Sequence, residues 1–481
     1  MTTLRLFSLL IPFFLFGTIT FEKTYGIPNM NEIGYRVINT TDSGYAAIGI
    51  AGTGRDMIYF LRVDSLGNLQ CTTSVSQGYV NKSAYSFIQL PNGGFASVGD
   101  IDSILDLFPS QIYIVWFNAN GDTVRSKVFG GDSLDIGYWI EITPDSNLII
   151  TGETKSYGSG CSDVWLVKMD FMGNIIWTKT FGGESYDIGR CVKTTPDNGF
   201  IIVGSTYSLG NGFSDIYLIK TDSLGNLLWQ NTYGGSNYEY GYDVEVLANG
   251  YIIVGQTNSF DGHWDQDVYL IRTDSLGDTV WTKTFDNNMD DDVGYSIAIT
   301  SDNGFVIAGY TTPEVAGYME LWLIKTDTAG NLLWTRTYGG QDDDCAYGIE
   351  KTDDNGYIIT GYTCDTLFYR SLYLIKTDSL CNVYGIGEKT FVKVNQREGL
   401  KISSSLVREF LNIEYSLKKE GWVELSVYGA TGSTAKVIKK GELSPGDYQE
   451  KIYLGSLASG VYFVVLKQNN ENVSKKFLLI K

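Results

Sequence analysis

The chain is 481 residues long, with 36 Lys and Arg against 55 Asp and Glu, 55 glycines, 14% aromatic residues and one histidine. That length admits two or three domains, and the aromatic- and glycine-rich composition without heptads points to β-structure cut by many turns. A net charge of −19 argues against nucleic acid or anionic membranes as partners, and with His263 alone most nucleophile–imidazole catalytic schemes are removed.

At the N-terminus, Arg5 precedes an apolar run from Leu6 to Phe16. A run that short predicts a secretory signal peptide over residues 1–20, cleaved near Thr20, rather than a span. No later segment approaches ~20 consecutive apolar residues, so the mature chain is expected to have no membrane span. Phe21-Glu-Lys-Thr-Tyr-Gly26 follows, and it reads like Trp177-Thr-Lys-Thr-Phe-Gly182, the last strand of a unit that lacks its first three.

From there the chain repeats. Asp222-Ser-Leu-Gly225-Asn-Leu-Leu-Trp229 has counterparts aligned on Gly67, Gly121, Gly173, Gly277 and Gly330, with Cys381 in the glycine slot of the last, which makes seven units. Within a unit, Asp215–Thr221 and Leu227–Tyr233 flank a turn whose glycine can take positive φ, which predicts a β-hairpin. A second hairpin precedes it, turning at sequences such as Asp197-Asn198-Gly199 and Asp354-Asn355-Gly356. Four antiparallel strands per unit describe a propeller blade. The seventh unit dissolves after Tyr384, so the strand at Phe21 is expected to complete it and close a seven-bladed β-propeller over 21–384. Runs such as Phe305–Ala308 suit a sheet covered on both faces, and Trp177, Trp229, Trp281 and Trp334 are expected to bury large areas between blades. Cys71 and Arg125 hold that slot in the first two units, where looser packing is expected.

This D-x-x-G-x-x-x-W pattern resembles the delta-60 repeats of bacterial secreted propellers and, more loosely, the quinoprotein dehydrogenase propellers. The resemblance implies architecture and carries little about activity.

Candidate site residues follow the period. An acid recurs two residues before the Gly-Tyr slot, at Glu32, Asp135, Asp187, Glu239, Asp292 and Asp344, with Lys82 the exception. All six fall where one blade crosses to the next, forming a ring on one face that reads as a cation site or binding rim. The competing reading has each carboxylate capping backbone N–H groups of its crossover turn, and recurrence in nearly every unit favours the cap. Asp290–Asp292 and Asp342–Asp344 are richer in acid but lack the alternating loop of a calcium site, so no cofactor is expected and calcium is the one ion considered. Gly- and Ser-rich loops at 156–160 and 208–215 have no helix after them, which excludes a phosphate cradle and leaves turn chemistry. Counting across the Asp354-Asn355 turn places Cys345 opposite Cys364, a candidate disulfide in an exported protein.

From Gly385 to about Ser405 the repeat is gone, as in a linker, and the charge changes sign: 15 basic and 10 acidic residues from Gly385 onward leave a net −24 for everything before. Residues 406–481 alternate as Phe410–Tyr415, Trp422–Val427, Gly460–Val465 and Lys476–Ile480, which predicts a small immunoglobulin-like β-sandwich in an all-β chain. Leu-Asn-Ile-Glu-Tyr415, Val-Glu-Leu-Ser-Val427, Gly460-Val-Tyr-Phe and the ending Lys475-Lys-Phe-Leu-Leu-Ile-Lys481 resemble the C-terminal sorting domain of type IX secretion cargo. The resemblance implies the type IX machinery as a partner and a secreted or cell-surface location.

Loops at Asp100–Ser110, Thr257–Gln266, Thr311–Gly317 and Thr363–Arg370 vary between units, and variable loops on a rigid ring are where recognition sits. The leading expectation is a non-catalytic binding protein for an extracellular glycan or protein. The alternative is a hydrolase or lyase using two acids of the ring. A quinoprotein-like dehydrogenase is disfavoured by seven units rather than eight, and a structural matrix role is also open.

Overall fold

The computed structural model describes residues 19–27, 30–76, 80–103, 109–260, 265–287, 291–313, 317–340, 342–364 and 369–383 of one compact unit, and 400–402, 406–407, 410–417, 420–429, 434–455, 457–468 and 471–480 of a second. The signal segment up to Thr18, His263, Asp290 and most of the linker lie outside the described residues.

The first unit is a propeller of seven four-stranded antiparallel sheets. Blade four is typical: Asp187–Thr194 is innermost, then Phe200–Thr206, Asp215–Thr221 and the outermost Leu227–Tyr233. The two middle strands are buried along their whole length, because neighbouring blades cover both faces, and this is why Phe200-Ile-Ile-Val203 is apolar without alternation. The outermost strand has one covered face and alternates.

Closure follows the expectation. Phe21–Tyr25 pairs antiparallel with the outer side of Arg370–Thr377, Phe21 opposite Lys376 and Tyr25 opposite Leu372. Phe21 thereby sits in the slot that Trp229 holds opposite Lys220 in blade four. A Cβ on Gly67 of blade one would lie 2.9 Å from the Phe21 ring, and Tyr25 Oη donates to Gly67 O at 2.6 Å.

The same contact recurs around the ring. Cβ atoms added to Gly225, Gly277 and Gly330 would lie 2.7 Å from Trp177, Trp229 and Trp281 respectively, so each indole lies on the turn glycine of the next blade. These glycines have φ between 75° and 82°, so two constraints select glycine there. The indoles remain half-exposed rather than fully buried. In blade two the looser packing expected from Arg125 is made good: Arg125 stacks on Trp116 at 4.3 Å, and Trp116 covers Gly173 in place of the missing tryptophan.

The first-hairpin turns have a tie that the sequence pattern did not reveal. Lys168, Lys220, Lys325 and Lys376 reach back from the third strand to Asp145, Asp197, Asp302 and Asp354 at 2.8–2.9 Å. The amines are buried and the carboxylates partly exposed, so each lysine is satisfied without burying two charges.

Every innermost strand carries a one-residue bulge after its third to fifth pair, at Tyr35, Tyr85, Tyr138, Arg190, Tyr242, Tyr295 and Tyr347. This bulge corrects the disulfide expectation. Cys345 stands opposite Tyr362, and Cys364 opposite Arg370, so the register differs from a straight count across the turn. Cys345 and Cys364 are both free thiols in this structure.

The second unit comprises a three-stranded sheet, Leu400–Ile402, Phe410–Leu417 and Gly446–Tyr453, and a five-stranded sheet of Leu406–Val407, Glu471–Leu479, Gly460–Gln468, Gly421–Gly429 and Thr434–Leu443. Leu411, Ile413 and Tyr415 of the first meet Val423, Leu425, Val464 and Phe477 of the second in one core. Two features differ from expectation. Residues 400–402, assigned to the linker, form a strand against Ile413–Tyr415, and the strands at 434–443 and 446–453 were not anticipated because charged residues interrupt their apolar pattern.

Candidate functional site

The six recurrent acids do not form a solvent-facing rim. Glu32, Asp135, Asp187, Glu239, Asp292 and Asp344 are each at most 1% exposed. Asp135, Asp187, Glu239 and Asp344 accept the backbone N–H of Gly131, Gly183, Gly235 and Gly340 at 2.6–2.8 Å. Glu32 accepts from Ile27 N and Asp292 from Asn287 N. The loop serines serve the same caps, Ser156 Oγ donating to Asp135 and Ser208 Oγ to Asp187. Each crossover must reverse the chain inside the protein, and a buried carboxylate satisfies donors that have no strand partner. Among the described residues no group of three or more His, Cys, Asp or Glu is placed to hold a metal ion.

What the bulges do is build the axis. The extra residue of a bulge is unpaired and its side chain is re-aimed, and here the seven re-aimed side chains meet. Tyr35 contacts Tyr85 and Tyr347 with ring centroids 5.4 and 5.2 Å apart, Tyr85 contacts Tyr138 at 5.3 Å, and Tyr295 contacts Tyr242 and Tyr347 at 4.9 Å. Arg190 fills the place of the seventh tyrosine, its guanidinium 4.1 Å from the centre of the Tyr138 ring. The iris narrows the central channel a few residues below the crossover face. A Cβ on Gly204, across from the bulge of blade four, would overlap the Ile188 carbonyl, which explains the glycine on the second strand of each blade.

Deeper along the same strands lies a charged layer. Lys193 pairs with Glu245 at 2.6 Å, Glu141 accepts Thr194 N–H at 2.8 Å, and the Arg36 guanidinium stacks on Trp139 at 3.7 Å. Above it, Asp243 ties three blades together, accepting from Cys191 Sγ at 3.2 Å, Ser296 Oγ at 2.9 Å and Ile297 N at 3.1 Å. Burial pushes Glu141 up to about 7, against the pull of Lys193, Thr194 N–H and Arg36; burial likewise raises Glu350. A carboxyl whose folded-state pKa is raised stabilises the fold below its unfolded value and loses that contribution as pH rises through the folded one. Glu141→Gln should therefore match the parent near pH 4.5 and gain on it through pH 7, by on the order of 2 kcal/mol at pH 8. Denaturant unfolding at both pH values measures this; parallel pH profiles would count against it.

The third feature is on the crossover face of blades three to five. Tyr186, Tyr207, Phe213 and Tyr238 are 37–59% exposed and contiguous. Phe213 stacks on Tyr238 at 5.2 Å, Tyr238 lies parallel to Tyr240 within 9°, and the Tyr207 and Tyr240 hydroxyls are 2.7 Å apart. Isolated bridges from Ser162 to Tyr186 and from Ser214 to Tyr238 hold the crossovers in place beneath the rings. Sequence reasoning missed both the iris and this platform. The iris had a signal, the Gly-Tyr slot repeated in the innermost strands; the platform had a partial one, Tyr186 and Tyr238 each directly before a crossover acid, whereas Tyr207 and Phe213 come from other positions of the repeat.

Residues 407–481 match the secretion system C-terminal sorting domain family. That match supports export through type IX secretion, with a secreted or cell-surface location, and no helix among the described residues is long and apolar enough to cross a membrane. Over the rest of the chain the likenesses are distant. It is 19% identical over 374 residues to an uncharacterized WD repeat-containing protein of Acanthamoeba polyphaga mimivirus, covering 54% of this chain and 27% of that protein. It is 24% identical over 263 residues to the regulatory protein FlaEY of Caulobacter vibrioides, covering 52% of this chain and 24% of that one. The chain thus spans about a quarter of the length of these curated relatives. Among solved structures, the BP39L lectin of Burkholderia pseudomallei superposes with a TM-score of 0.46 at 8% identity, over 73% of this chain and 97% of the lectin.

Proposed function

We propose that the protein is a secreted or surface-displayed, non-catalytic binding protein, built on delta-60-type repeats, that captures an extracellular glycan or protein on the crossover face of its ring. The exposed cluster of Tyr186, Tyr207, Phe213 and Tyr238 carries this reading. Large aromatic side chains left in water on a rigid scaffold offer contact area at little entropic cost, and they mark interaction sites more often than chance exposure. The alternative, a hydrolase or lyase using the crossover acids, has less support. Burial raises Asp344 to about 6, a value useful to a general acid, but the group is buried and already accepts the Gly340 N–H.

The test is retention of the mature chain on immobilised glycans and on surface proteins of the source cells. Replacing Tyr207 and Tyr238 together by alanine should lower affinity at least 10-fold, about 1.4 kcal/mol, with the unfolding midpoint held. Binding equal to the parent would remove this face as the site.

A further inference from the structure

We propose that the ligand of the crossover face is an acidic glycan, a chain containing uronic acid, whose carboxylate docks on Arg190 at the neck of the channel while its sugar rings lie on the adjacent tyrosine platform. This rests on the crossover-face reading above and adds the charge of the ligand to it.

Two departures from the repeat coincide at blade four. The iris tyrosine is replaced by arginine there and in no other blade, and four exposed aromatic side chains in mutual contact gather around the same blade's crossovers. The two are physically joined. Tyr207 N–H donates to Tyr186 O at 2.8 Å, the Tyr207 hydroxyl meets that of Tyr240 at 2.7 Å, and Tyr186 and Arg190 share one run of chain.

The Arg190 guanidinium is half-buried, its carbon 4.1 Å from the centre of the Tyr138 ring, and among the described residues it makes no hydrogen bond and has no carboxylate within 4.0 Å. Its neighbours' hydroxyls are already committed, Tyr138 donating to Glu153 at 2.8 Å and Tyr242 to Gln256 at 2.7 Å. Five lysines of the ring, Lys168, Lys193, Lys220, Lys325 and Lys376, are ion-paired, and Arg36, Lys82 and Arg370 lie over Trp139, Tyr113 and Tyr362. Lys155, 5.3 Å from the centre of the Tyr186 ring, is a further cation on this face, with no carboxylate within 4.0 Å among the described residues. A guanidinium held over a ring without hydrogen-bond partners keeps its N–H donors for a planar, bidentate acceptor, which a carboxylate is. None of the Arg190 nitrogens is among the buried unpartnered atoms of the described residues, so a ligand can reach them. Tyr238 and Tyr240, parallel within 9°, offer flat surfaces for the C–H faces of sugar rings. The propeller's net negative charge sets the limit: the attraction is local, so short acidic segments between neutral sugars fit better than a dense polyanion.

The experiment titrates the full mature chain with oligogalacturonate, with the same oligomer methyl-esterified, and with alginate and hyaluronan oligosaccharides and a sulfated glucan. The expected result is that at least one carboxylated oligomer binds, that oligogalacturonate binds at least 10-fold tighter than its ester, that Arg190→Gln erases this ratio, and that Arg190→Lys restores part of it. Equal affinity for acid and ester, a ratio that survives Arg190→Gln, binding confined to the sulfated glucan, or no binding to any carboxylated oligomer would each overturn the proposal. The two readings fail differently. If the Tyr207 and Tyr238 double variant still binds the acid form as the parent does, the platform is wrong; if it loses all glycans while acid and ester were bound equally, the face is right and the carboxylate assignment is wrong.

Discussion

Removing Phe21–Tyr25 from the mature chain should abolish cooperative unfolding of the propeller or drive it into aggregates. Five residue pairs hold this strand to Arg370–Thr377, and without it the seventh blade exposes an unpaired edge, a template for pairing with other chains. The loss goes beyond hydrogen bonds. Phe21 packs with Tyr45, Tyr59 and Leu374 at the junction of the first and last blades, and Lys23 Nζ and Tyr25 Oη both donate to Gly67 O across that junction. Phe21→Ala, which keeps the strand and removes the ring contact, should cost about 3–5 kcal/mol. Thermal and denaturant unfolding measure both, and a deletion variant that melts with the parent would show that the ring holds closed without this latch.

Loss of a crossover cap is the second large effect. Glu239 accepts Gly235 N–H at 2.8 Å and the Thr257 hydroxyl at 2.7 Å from a fully buried position, and Asp187 accepts Gly183 N–H and the Ser208 hydroxyl. Alanine at either place strands buried donors, which costs about 1–3 kcal/mol for each lost partner. Glu239→Ala should thus destabilise by roughly 2–4 kcal/mol, while Glu239→Gln, which keeps an acceptor, should lose less. Ligand retention of the folded variants, with or without chelator, should match the parent. A variant as stable as the parent that had lost chelator-sensitive binding would restore the acids to a functional role.

The fold was legible because its signals are local and repeated. Each Asp-x-x-Gly turn, Asp-Asn-Gly turn and apolar middle strand is specified within a few residues, and seven copies outvote the irregular ones. Even closure was readable, since Phe21–Gly26 carries the pattern of an outermost strand with no unit of its own. The Cys345 and Cys364 pairing failed on two residues: the ladder leaves the turn with Lys351 opposite Tyr357, one step from the count, and the bulge at Tyr347 adds a second, so Cys345 meets Tyr362; nothing local to the turn announces the bulge. The crossover acids were found, but the choice between cap and rim needed burial, a property of how blades stack.

Alternation, turn chemistry and period thus determined seven blades, their order and the seal between chain ends, because hairpins form between neighbours in the sequence. Only the tertiary structure decided what faces the axis and what faces water. Tyr35 and Tyr347 are 312 residues apart and touch, and the environment of Arg190 is made by Tyr138 of the preceding blade and Tyr242 of the next. Such contacts depend on ring curvature and on seven bulges acting together, and no stretch of sequence encodes either by itself.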